Sequence, residues 1–168
     1  NVVVSNGAKQ SIANVLFALL NPGDEVIIFS PYWVSYDALV RLTEATPVFV
    51  RGGIENDFKV TAAQVAQAIT PKTKAIMPVS LYGQVADMDE INAIAARHGN
   101  IPVIEDAAQS FGATYKGRMV GTLGDASFFS FQAFKPLNTY GGGLAWMRDE
   151  ALARKVGALA AIEPLPSE

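Results

Sequence analysis

The chain has 168 residues, half of them hydrophobic and 17% charged, with a net charge of −3 and no cysteine. That length carries one domain with a sizeable core, and that composition suits a sheet buried on both faces. The small charge without any basic run argues against nucleic acid, no apolar run reaches bilayer length, and the lack of cysteine excludes disulfides, thiol catalysis and cysteine-ligated metals.

The chain opens on Val2-Val3-Val4, which reads as a strand rather than as a leader, so the default compartment is the cytoplasm. An opening in mid-strand suggests a piece of something longer. The turn Ser5-Asn6-Gly7 follows, and apolar residues then recur at helical spacing through Ile12, Val15, Leu16, Leu19 and Leu20 until Asn21-Pro22-Gly23 stops them. A strand thus meets a helix through Gly7, Ala8 and Lys9. The free N–H groups of such a helix start, with the helix dipole, favour an anion such as phosphate, although a polar turn here is more commonly only a cap.

Glu25 to Phe29 is a buried-type strand, Ser30-Pro31-Tyr32-Trp33 punctuates it, and Val34 to Leu42 is helical in pattern. Trp33 stands at a strand's carboxyl end, where open α/β sheets bind ligands. It is either a core plug or a flat face for stacking a planar ring. Pro47 to Val50 is the next strand, Thr61 caps a helix over 62–69, and Lys74 to Val79 is another strand, followed by the loop Ser80-Leu81-Tyr82-Gly83-Gln84. Asp87 reads as the cap of a helix over 88–97. His98, the single histidine, falls in its last turn and reads as a dipole partner.

Pro102-Val103-Ile104 leads into Glu105-Asp106-Ala107-Ala108-Gln109. Side chains alternate along a strand, so one of the two acids should point away from the other. That argues against a two-carboxylate pair, and no nearby histidine or further acid completes a metal site. Tyr115 to Gly121 reads as an exposed hairpin. Strands over 126–131 and 143–147 flank a loop carrying Lys135, Asp149 caps a last helix over 150–161, and residues 163–168 read as a frayed tail.

Lys135 lies five residues after Ser130, between Phe134 and Leu137 and ahead of a glycine run. A lysine enclosed by apolar neighbours is costly to keep charged, and its free amine is a nucleophile of the kind that forms Schiff bases. A surface lysine on a turn is the bland alternative. These elements predict a three-layer α/β/α sandwich around a seven-stranded, mostly parallel sheet, its last strand pair antiparallel. Gly7, Trp33, Asp106, Ser130 and Lys135 all follow strand ends, which a parallel sheet gathers on one edge.

These segments together resemble the large domain of fold-type I pyridoxal-phosphate enzymes over nearly the whole chain. Residues 1–76, through Ser5 to Gln10, Asn21 to Ile28 and Ser30 to Tyr36, resemble a class I aspartate aminotransferase. Residues from about 70 onward resemble the DegT-type nucleotide-sugar aminotransferases, through Leu81 to Gln84, Glu105 to Gln109, Gly112 to Gly117 and Ser127 to Lys135. A chimera joined near 69–74 is one reading of that change.

The resemblance implies that pyridoxal phosphate is the cofactor. It implies that Lys135 forms the Schiff base and shuttles the proton, and that Asp106 pairs with the ring nitrogen. It puts Trp33 on one ring face, Ala108 on the other, and Gln109 at the 3-hydroxyl oxygen. It gives the phosphate to the backbone of Gly7, Ala8 and Lys9 with the Ser130 hydroxyl. An amino acid donor, a keto acceptor such as a nucleotide-linked keto sugar, and a homodimer are the implied partners. Ser80 to Gln84 and Asn138 to Gly143 depart from the class I pattern, which argues against aspartate as substrate. The small domain of both families is missing from residues 1–168. The competing expectation is a catalytically silent scaffold that folds and at most binds cofactor.

Overall fold

The apolar runs become strands and the helically periodic runs become helices close to where the pattern puts them. The computed structural model describes residues 1–162, so the tail at 163–168 lies outside the described residues. β1 (Val2–Ser5) leads to α1 (Ala8–Leu19), and β2 (Glu25–Ser30) to α2 (Ser35–Leu42). β3 (Thr46–Arg51) leads to α3 (Ala62–Ala68), and β4 (Thr73–Met77) to α4 (Met88–Arg97). β5 (Ile104–Asp106) is followed by the hairpin of β6 (Thr114–Tyr115) and β7 (Arg118–Met119). β8 (Ala126–Ser130), β9 (Gly143–Met147) and α5 (Glu150–Ile162) complete the fold.

A four-stranded portion, β1-β9-β8-β5, and a three-stranded portion, β3-β2-β4, form the sheet. Parallel bridges from Ile76 to Val103 and from Val79 to Asp106 join them into the seven-stranded sheet that the sequence predicts. β9 pairs antiparallel with both β8 and β1, while β5–β8, β2–β3 and β2–β4 are parallel. The antiparallel step falls where no helix separates two strands, because only a crossover lets consecutive strands run parallel.

Alternation along β2 shows why both faces are covered. Val26 and Ile28 pack into the core beneath α1, α2 and α5, with Leu16, Val40 and Val156. Ile27 and Phe29 pack into the core beneath α3 and α4, with Val65, Ile91 and Ile94. Successive side chains point to opposite faces, so four consecutive apolar residues need two cores. Each of these fully buried side chains is worth about 1.5–3 kcal/mol in transfer free energy.

Two expected caps form. The Thr61 hydroxyl accepts from the Gln64 N–H at 3.3 Å in a reciprocal capping box, and Asp149 Oδ1 accepts from the Leu152 N–H at 2.7 Å. Asp87 stands at the cap position of α4, but its side chain makes no capping hydrogen bond. Its carboxylate lies 3.8 Å from Lys59 Nζ, so a cation across the loop draws it outward from the helix start. The β6–β7 hairpin turns at Lys116 and Gly117, both at positive φ.

Candidate active site

One cleft of about 1100 Å³ opens at the carboxyl edge of the sheet, on the α1 and α2 side. It is lined by every residue that the sequence singles out: Gly7, Ala8, Lys9, Trp33, Asp106, Ala108, Gln109, Ser130 and Lys135. The chain brings them from the ends of four strands, β1, β2, β5 and β8. Each follows a strand that ends at this edge, which is why positions 128 residues apart meet.

Asp106 ends β5 and is 6% exposed. Its Oδ1 accepts the Ala108 N–H at 3.0 Å, and its Oδ2 accepts the Tyr36 hydroxyl. Burial pushes the carboxyl above the usual carboxylate range. The Tyr36 hydrogen bond, the Ala108 N–H and the charge of Lys135 act against that rise. Glu105 points to the opposite face, as strand alternation requires. Its Oε1 accepts from Leu123 and Gly124 N–H at 2.5 and 2.6 Å, and its Oε2 accepts from Gly121 N–H at 2.8 Å. The two acids are neighbours in sequence with separate environments, so no carboxylate pair exists here.

The start of α1 carries no side-chain cap, because Gly7 stands at the cap position. Its first N–H groups therefore face the cleft rather than a local hydroxyl or carboxylate. That arrangement suits an anion. Asn6 N–H is tied to Gln10 Oε1 at 2.6 Å, and Ser5 Oγ lies 2.6 Å from Ser11 Oγ, so the turn is braced from both sides. Lys9 Nζ sits 5.0 Å from the Trp33 ring centroid. Trp33 is 43% exposed, which excludes the core-plug reading and leaves an indole at the cleft.

Lys135 departs from the expected enclosure. Phe134 is fully exposed and Leu137 is 40% exposed. The loop over 131–142 closes on itself through Thr139 N–H to Phe131 O at 3.0 Å and so carries Phe134 on its outer side. Lys135 is half-buried in the cleft wall, held by the turn in which its N–H donates to Gln132 O at 3.0 Å. Ser130 ends β8 and is buried. Gln109 Oε1 accepts from the Tyr82 N–H at 3.4 Å, which leaves the carboxamide nitrogen as the end available to a ligand.

Tyr36 is the site residue that sequence reasoning missed. It falls one helical turn after Trp33, and that spacing is the only signal it left. Its ring is 1% exposed, edge-on to Trp33 at 5.8 Å and to Phe128 at 6.0 Å. Gln132 and Phe128 also line the cleft without having been singled out. Among the described residues, no group of three or more His, Cys, Asp or Glu side chains could hold a metal, and no helix is long and apolar enough to cross a membrane.

A buried carboxyl group, an uncapped helix start, an indole and a lysine thus meet around one cleft at the carboxyl edge of an α/β domain. Residues 1–162 match the DegT/DnrJ/EryC1/StrS aminotransferase family, and the chain belongs to it. That match covers both halves of the sequence. The chain is 43% identical over 163 residues to the GDP-perosamine synthase of Caulobacter vibrioides, covering 95% of this chain and 43% of that protein. It is 48% identical over 143 residues to the UDP-2-acetamido-2-deoxy-3-oxo-D-glucuronate aminotransferase of Pseudomonas aeruginosa, covering 84% and 39%. The structure of S. venezuelae DesV in complex with a ketimine intermediate superposes with a TM-score of 0.87 at 39% identity, over 94% of this chain and 43% of that one. The chain therefore spans about two-fifths of the length of the curated relatives it matches.

Proposed function

We propose that this chain is the cofactor domain of a pyridoxal-phosphate-dependent aminotransferase that moves an amino group between an amino acid and a keto sugar carried on a nucleotide. The observation that carries the reading is the convergence of Asp106 and Lys135 on one cleft that the uncapped start of α1 also lines. The names of the relatives, which act on GDP- and UDP-linked sugars, support the acceptor class.

The residues present fit that cofactor. The buried Asp106 carboxylate matches a cationic ring nitrogen, since a buried anion calls for a paired cation. Gly7, Ala8 and Lys9 offer N–H groups to a phosphate, and Ser130 lines the same cleft. Trp33 offers an aromatic face, Ala108 a small apolar surface, and the Gln109 carboxamide nitrogen a donor to a phenolic oxygen. Lys135 is the amine for covalent attachment and for moving the proton. Bound pyridoxal phosphate supplies an electron sink for charge developing at the substrate's α-carbon.

In this reading residues 1–168 form one domain. The class I-like segments before residue 76 are local variants within the DegT-type frame, and recombination is not needed to explain them. The chain self-associates, as exposed large side chains such as Tyr82, Phe134 and Tyr140 favour. A strictly monomeric sedimentation profile would count against that.

The test is a half-reaction. The chain is loaded with pyridoxal phosphate and mixed with L-glutamate, and the cofactor's absorbance is followed. Conversion to the pyridoxamine form supports the enzyme. No conversion with any amino acid leaves a scaffold that holds cofactor without turning it over.

A further inference from the structure

Both oxygens of Asp106 are already engaged by donors of the chain: Oδ1 by the Ala108 N–H, Oδ2 by the Tyr36 hydroxyl. The first bond is local and comes with the turn after β5. The second crosses 70 residues and joins the first turn of α2 to the end of β5. We propose that Tyr36 is a positioning residue whose hydroxyl aims the Asp106 carboxylate into the cleft, keeps it ionised, and so sets how firmly that carboxylate holds a protonated ring nitrogen. The inference rests on the reading of Asp106 as the partner of the cofactor nitrogen.

The packing leaves the phenol no other place. Trp33 and Phe128 meet the Tyr36 ring edge-on, and Tyr32 lies 6.4 Å away in a stacked arrangement that continues to Phe49. Tyr36 also stays a donor throughout the working pH range. Burial first, then the charge and hydrogen bond of Asp106, push its hydroxyl well above the ordinary tyrosine value.

Few other groups address this carboxylate. Lys135 faces it from the loop after β8. Lys9 lines the same cleft from α1 with its ammonium over Trp33. Glu105, on the same strand, faces the other way into its three N–H groups. Lys135 engages the cofactor in the proposed reaction, so its charge varies during turnover. Tyr36 is the neutral donor that does not vary. A hydrogen bond to the ionised form favours that form, so removing it makes the carboxylate a stronger base.

The experiment is an NMR pH titration of the folded chain without cofactor, with ¹³C at the aspartate carboxyl carbons and Asp106 assigned by its loss in Asp106→Asn. In Tyr36→Phe the Asp106 midpoint rises by about one pH unit, the scale of one hydrogen bond to a charged group. In Phe128→Leu, which disturbs the same packing and keeps the bond, it stays in place. Should Tyr36→Phe fold poorly, 3,5-difluorotyrosine at position 36 is a stronger donor and lowers the midpoint instead. An unmoved midpoint in Tyr36→Phe and in the difluorotyrosine variant overturns the proposal.

A second readout uses ¹⁵N-labelled pyridoxal phosphate, whose ring-nitrogen resonance moves between wild type and Tyr36→Phe. A moved Asp106 midpoint with an unmoved ring-nitrogen resonance overturns the role while leaving the bond. A wild-type chain that binds no pyridoxal phosphate overturns the cofactor reading and this role with it, and the titration then still reports on the bond.

Discussion

Gly143, the first residue of β9, lies against the backbone of Gly7 and Ala8 at the start of α1. A Cβ built on Gly143 would fall well inside contact distance of the Ala8 nitrogen and the Gly7 carbonyl carbon. The same approach is seen in the pairing of Ser5 with Gly143 and in the bridge from Gly7 to Gly142. The loop that carries Lys135 thus returns through glycines and closes directly on the helix start that lines the cleft. Backbone meets backbone there, and no side chain fits between.

Gly143→Ala therefore has to displace the α1 start. Overpacking of this kind costs about 1–3 kcal/mol. The expected outcome is a folded protein whose affinity for pyridoxal phosphate falls about tenfold, read by fluorescence titration, with weaker protection by inorganic phosphate. Unchanged affinity would show that this turn does not hold the phosphate.

Lys135→Ala and Asp106→Ala separate attachment from chemistry. The first is expected to bind pyridoxal phosphate without a reducible bond and to lose the glutamate half-reaction by at least about 100-fold. The second keeps attachment and loses the half-reaction to a similar degree. Both are read from the cofactor's absorbance. Normal turnover in Asp106→Ala would remove Asp106 from its assigned place.

Glu105 is a structural anchor on the other face. In Glu105→Gln the carboxamide can still accept at one end, where Leu123 and Gly124 donate. At the other end an NH₂ then faces the Gly121 N–H, donor against donor. The cost of one buried donor left without an acceptor is about 1–3 kcal/mol, measured by urea unfolding. A change near zero would mean the 121–124 loop is held by something else.

Asp89 holds the β6–β7 hairpin to α4. It accepts from Lys116 Nζ at 2.9 Å and from the Arg118 guanidinium. Those two donors draw its carboxyl below the usual range. A carboxyl lowered in the folded state contributes stability above its unfolded value, and the contribution is lost as pH falls through the lowered value. Both ends are exposed, so salt screens the pairs. Asp89→Asn and high salt are each expected to speed tryptic cleavage at Lys116 and Arg118. Cleavage rates equal to those of the wild type at low salt would contradict this.

Much of the fold was legible because burial writes itself into the sequence as a period. Ile27 and Phe29 alternate with Val26 and Ile28, and Ile12, Val15 and Leu16 recur at helical spacing. The cleft was legible because polar residues after strand ends must share one edge. Contacts between elements were not. The Tyr36–Asp106 bond joins positions whose meeting depends on how α2 crosses β5, and no local pattern encodes that. Asp87 looked like a cap because acids commonly cap helices, but Lys59 competes for it from another loop. The exposure of Phe134 follows from the closure of its loop by Thr139 and Phe131, which an apolar neighbour of a lysine does not announce.

The most direct test of the central claim is borohydride reduction of the folded chain after incubation with pyridoxal phosphate, followed by peptide mass mapping. The account predicts one reduced adduct, on Lys135, that is absent from Lys135→Ala. No adduct in a folded chain, or an adduct on Lys9 in its place, would contradict it.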